Sequence, residues 1–97
     1  MLLGLTSASR GLVWQSWDDV YLVYQPSSTE THVFNDTTTL ILKCLGQGEL
    51  SQEGVKSWTE AALGVGQGEL DADEFAFAVG RLEELGLIER SEELIAI

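Results

Sequence analysis

The feature that most constrains this chain is a single change of side-chain period at Asn35-Asp36. Before it, aromatic and β-branched residues gather in short runs: Leu12-Val13-Trp14-Gln15-Ser16-Trp17, Val20-Tyr21-Leu22-Val23-Tyr24 and Thr31-His32-Val33-Phe34. Such side chains suit a pleated, half-buried surface. Asp18-Asp19 and Gln25-Pro26-Ser27-Ser28-Thr29 separate the runs and carry turn chemistry. Successive strands with short connections predict an antiparallel meander.

After the change, the spacing is helical. Asn35 and Asp36 are good N-cap residues for Leu40, Ile41, Leu42, Cys44 and Leu45, a short helix buried on most sides and ended by Gly46-Gln47-Gly48. Ser51 caps a second helix with Val55, Trp58, Ala62 and Leu63 on its apolar side; Gly64, Gly66 and Gly68 break it. Asp71 caps a third, with Glu74 in a capping-box-like position. Phe75, Ala78, Val79, Leu82 and Leu85 trace its inward stripe, Gly86 stops it, and Leu87-Ile88-Glu89-Arg90 reads as a closing strand. The expected class is α+β, winged helix-turn-helix-like: a three-stranded antiparallel meander followed by three helices. Ninety-seven residues make one domain, 1–97. Residues 1–11 and 91–97 are expected to be flexible, because residues 1–10 show no clear period.

Charge restricts the partners. Sixteen acids against five Lys or Arg give a formal charge of −11. Nucleic-acid affinity rests largely on neutralising phosphates with Lys and Arg, so such a surface repels the backbone. It repels anionic lipid for the same reason. In a DNA-binding winged helix the third helix would enter the major groove, yet here Asp71, Asp73, Glu74, Glu83 and Glu84 oppose a lone Arg81. Neither nucleic acid nor membrane is expected as a partner. The start, Met1 to Ser9, lacks a basic region and a long apolar stretch, so it does not read as a signal peptide. Cys44 is the only cysteine, which excludes an intrachain disulfide, and the expected location is cytoplasmic.

Each candidate for chemistry meets a structural explanation. Gly-Gln-Gly-Glu-Leu occurs at 46–50 and 66–70, but neither copy continues to a phosphate-loop pattern, and each places Glu beside the glycines. A loop-to-helix transition is the simpler account. Asp71-Ala72-Asp73-Glu74 starts like an EF-hand, yet Ala76 stands where the turn needs glycine and Phe75 takes a ligand position. Acids in a first helical turn are favoured by the helix dipole. His32 and Cys44 are the only imidazole and thiol, and an apolar helix would raise the thiol pKa rather than lower it. No catalytic residue, metal site or cofactor is expected. Trp14 and Trp17, three apart on one strand, point to opposite faces, which hints at an interaction surface. Trp58 reads as core.

The order of elements, the run Phe34-Asn35-Asp36-Thr37-Thr38-Thr39-Leu40-Ile41-Leu42 and the ending Leu82-Glu83-Glu84-Leu85-Gly86-Leu87-Ile88 resemble the PqqD-like peptide chaperones. These are small winged-helix modules, also called precursor-peptide recognition elements. Trp14-Gln15-Ser16-Trp17-Asp18-Asp19 and Thr31-His32-Val33-Phe34 look most like the branch of the HPr-rel-A system, found beside an HPr-kinase-related protein and a nucleotidyltransferase-like protein. The resemblance covers about residues 12–90.

That resemblance implies peptide binding without catalysis. In the family, a leader peptide adds as an extra strand to the third strand and rests against the third helix, a case of β-augmentation. By position, the edge would be Glu30, Thr31, His32, Val33 and Phe34, and the opposing wall Phe77, Arg81 and Glu84. The implied partners are a precursor or leader peptide and a modification-pathway enzyme. Alternation puts His32 and Phe34 on one face and Thr31 and Val33 on the other, so Phe34 reads as core. His32 reads first as a satisfied, semi-buried residue and second as a contact. The alternative is a structural or regulatory winged-helix docking subunit, or a homodimer through the same edge.

Overall fold

The computed structural model describes residues 2–9, 11–17, 20–26 and 29–91, with Trp17 described by its backbone alone. The turn expected at Asp18-Asp19, part of that at Gln25–Thr29 and the tail at 92–97 lie outside the described residues, as does the direction of the Trp17 side chain. The architecture is α+β. In chain order come β1 (Leu2–Leu5), a 3-10 turn (Ser7–Ser9), β2 (Val13–Trp17), β3 (Val20–Gln25) and β4 (Glu30–Phe34). Then follow α1 (Asp36–Leu45), β5 (Leu50–Ser51), α2 (Gln52–Leu63), α3 (Ala72–Glu84) and β6 (Ile88–Ser91).

The meander forms one antiparallel sheet in the order β2-β3-β4, which leaves β4 at an edge. Its register pairs Val23 with His32 and Tyr21 with Phe34. Period-two alternation then sends Val23, His32 and Phe34 inward and leaves Val13, Tyr24 and Val33 exposed. The inner face packs on α1, whose Ile41, Leu42, Cys44 and Leu45 are buried as their spacing predicts.

A second antiparallel sheet, in the order β5-β1-β6, goes beyond the expected layout. Residues 1–10 were expected to fray, but Leu2–Leu5 form its middle strand and Leu3 is completely buried. Leucine and glycine carry little strand preference, so the local pattern is silent. Pairing partners far along the chain decide instead: Leu3 lies opposite Leu50 on one side and Arg90 on the other. The following turn is tied down as well. The Thr6 hydroxyl donates to Gly86 O, and the Ser9 hydroxyl donates to Leu87 O.

Caps set the helix starts where the sequence puts them. Asn35 Oδ1 accepts from Thr38 N–H at 2.9 Å, and Ser51 Oγ accepts from Gly54 N–H at 3.1 Å. Asp71 Oδ1 accepts from Asp73 N–H at 2.7 Å. These bonds satisfy N–H groups that have no partner inside a helix. The third helix buries Phe75, Ala78, Val79 and Leu82 as its stripe predicts. In α2 the pattern differs: Val55 is buried and Trp58 half-buried, but Ala62 is exposed, while Thr59 and Glu60 are buried in its place. Both buried polar side chains are satisfied: the Thr59 hydroxyl donates to Val55 O, and Glu60 accepts from the loop after α2.

Candidate functional site

The meander edge and α3 meet at a groove of ≈ 320 Å³. Val33 and Phe34, at the end of β4, form one wall, and Glu74, Phe77, Ala78 and Arg81 form the α3 wall. Thr37 and Thr38, in the first turn of α1, close the floor. Each apolar wall residue follows from its element. Strand alternation turns Val33 away from the core, and it is 59% exposed. Phe77 lies beside the inward stripe of α3 rather than on it and is 75% exposed. An isolated exposed apolar residue is ordinary; here two large ones line a common groove.

Of the edge and wall residues expected from sequence, the groove brings together Val33, Phe34, Phe77 and Arg81. Glu30, Thr31 and His32 continue along the same strand without lining it, and Glu84, though exposed, also lies outside. Sequence reasoning placed Glu74 in the helix cap and among the acids of α3 but did not name it for the wall. Its place in the groove was legible as the position one turn before Phe77.

His32 is turned inward and is 8% exposed. Its ring Nε2–H donates to Gln25 Oε1 at 2.9 Å, and the ring stacks on Phe34 with centroids 5.5 Å apart. As a side chain it therefore supports the sheet from within; only its backbone belongs to the edge. Cys44 is buried in α1, and desolvation pushes its thiol up from the ordinary value. A protonated thiol without access is a poor nucleophile. Among the described residues, no group of His, Cys, Asp or Glu is arranged to hold a metal ion. No helix of the described residues is long and apolar enough to cross a membrane.

The loop that leads into α3 is held by a residue that sequence reasoning missed. Glu60 is 3% exposed, and its Oε2 accepts from Gly68 N–H at 2.8 Å and from Leu70 N–H at 3.0 Å. Lys56 Nζ lies 3.2 Å from the same oxygen. The Leu70 N–H and the lysine together hold this carboxyl below the usual carboxylate range against the opposing effect of burial. Glu60 also takes Val65 N–H on its main-chain carbonyl, while Gly64 N–H reaches Ala61 O. This Schellman arrangement requires a left-handed residue, and Gly64 supplies it at φ +76°. Glu60 thus takes three amides of the connection between α2 and α3: Val65, Gly68 and Leu70. The available signal was an acid placed just before a glycine-rich loop whose N–H groups need acceptors.

Lys43, on the other side of α1, projects over the rings of Tyr21 and Trp14, 4.9 and 6.0 Å from their centroids. This cation–π contact clasps the meander to α1. No family model, no curated protein and no solved structure matches the chain.

Proposed function

We propose that this chain is a non-catalytic peptide-binding adaptor of winged helix-turn-helix-like, PqqD-like type. It takes a precursor or leader peptide as an added strand on β4 and presents it to a modification enzyme. The observation that carries this reading is the groove between the end of β4 and α3, with Val33 and Phe77 exposed on its two walls. An edge strand offers main-chain groups to a further strand, and among the described strands β4 pairs with β3 alone. Each added main-chain bond contributes about 1 kcal/mol net, so burial of apolar side chains in the groove supplies much of the affinity. The sequence of α1, β5, α2, α3 and β6, with both strands in one sheet, agrees with the winged-helix layout. The acidic exposed side of α3 argues for peptide over nucleic acid.

The test is a binding assay against short peptides from neighbouring open reading frames, followed by hydrogen exchange. A bound peptide is expected to protect β4 amides and to leave those of β2 unchanged. If no peptide binds while a neighbouring enzyme does, the chaperone reading fails in favour of a docking subunit. Protection of β4 in the protein alone, increasing with concentration, would instead point to a homodimer through this edge.

A further inference from the structure

The charges along the groove carry the reading further, to the side chains of its occupant. Glu74, Phe77 and Arg81 stand at i, i+3 and i+7, one face of α3, and all three line the groove. Phe77 is therefore bracketed by a carboxylate on its N-terminal side and a guanidinium on its C-terminal side. Arg81 is exposed and makes no ion pair among the described residues. The other described cations are engaged: Lys56 with Glu60, Arg90 with Glu83, and Lys43 with two aromatic rings. Among the described residues, the Arg81 guanidinium is thus left without a carboxylate in a chain of strongly acidic balance.

We propose that the groove selects a dipolar strand, in which an apolar side chain is flanked on the same face by a basic residue and by an acidic one. The inference rests on the peptide-binding reading above. Seven residues of helix separate Glu74 from Arg81 by about 10.5 Å at 1.5 Å per residue. An extended peptide repeats side chains on one face every second residue, so positions p and p+4 lie about 13 Å apart. The long Glu and Arg side chains absorb that small mismatch. The basic flank meets Glu74, the acidic flank meets Arg81, and the apolar residue lies between Val33 and Phe77.

The net charge of −11 alone would suggest a wholly basic occupant. Such a strand would set a cation against Arg81. A wholly acidic strand would satisfy Arg81, often as a bidentate pair, but would set a carboxylate against Glu74 and enter a strongly negative field. Only the dipolar strand pairs both ends. Its order along the chain also fixes the direction in which it lies, so the groove reads orientation as well as composition.

The experiment uses short synthetic strand peptides that are identical except at the two same-face positions flanking a central Phe. The pairs are Lys/Glu, Glu/Lys, Lys/Lys, Glu/Glu and Gln/Gln, and binding to the full chain is followed by fluorescence anisotropy at low and high salt. One of the two dipolar orders is expected to bind about tenfold tighter than either like-charged peptide, with the margin shrinking in high salt. Arg81→Glu should make Lys/Lys the best ligand, and Arg81→Gln should remove the preference at the acidic flank. Equal binding of all five peptides, or an Arg81→Glu variant that keeps the original ranking, overturns the dipolar reading while peptide binding stands. If none binds, the neutral Gln/Gln peptide included, the peptide-binding reading falls with it. A thermal melt of each variant confirms that the exposed substitution leaves the fold in place.

Discussion

Three residues separate folding from binding most sharply. Phe77 makes little contact with the core, so Phe77→Ala should leave the melting temperature unchanged while weakening peptide binding. Loss of a ring from an apolar contact is expected to cost about 1–2 kcal/mol, read as a tenfold or greater rise in Kd. Thr39 presents the opposite case. It is fully buried, and its Oγ1 has no hydrogen-bond partner among the described residues. Thr39→Val keeps the shape and removes an unsatisfied group, so it should stabilise the fold by about 1 kcal/mol in a denaturant titration. Glu60 adds a pH dependence. Its folded pKa lies below the ordinary 4.5, so its stabilisation is complete above that value and is lost as pH falls through the lower, folded one. Glu60→Gln keeps an acceptor for Gly68 and Leu70 but not the charge. The variant should be less stable at neutral pH, and its melting temperature should depend less on pH in the acid range.

At the scale of elements, the meander and the three helices were legible because each carries its own period, cap and stop. Asn35, Ser51 and Asp71 cap where short polar side chains stand before apolar stripes. The third helix ends where Gly86 allows φ +74°, with Leu87 N–H reaching back to Leu82 O. β1 had no such signal. Its four residues become a strand because β5 and β6 flank them, a partnership spanning nearly the whole chain. Leu3 is the measure of that difference. In a frayed segment, Leu3→Ala would change stability by less than about 0.5 kcal/mol. Buried in the middle strand, it should cost about 2–5 kcal/mol, seen as a lower urea midpoint with the slope unchanged.

Across the whole molecule, the dominant long-range term is self-repulsion. A chain of formal charge −11, in which Lys56–Glu60 and Arg90–Glu83 pair opposite charges, is held together by its core rather than by its surface. Salt that shortens the screening length to about 8 Å should raise the melting temperature by several degrees, a shift that corresponds to about 1 kcal/mol. The same field adds a repulsive term to any association between like copies. The candidate site was legible in part. Alternation in the meander named Val33 as outward and Phe34 as inward, and the helical stripe left Phe77 over. Both are local, periodic properties, and local physics determines them from sequence. The resemblance supplied the idea that edge and helix face one another, but only the tertiary structure decided which residues meet. It set Val33 and Phe34 beside Glu74, Phe77 and Arg81, left Glu84 outside that groove, and gave the inconspicuous Glu60 the amides of Gly68 and Leu70 before α3. Those outcomes turn on where two elements cross and which loop groups lack partners, and no period within a single element encodes either.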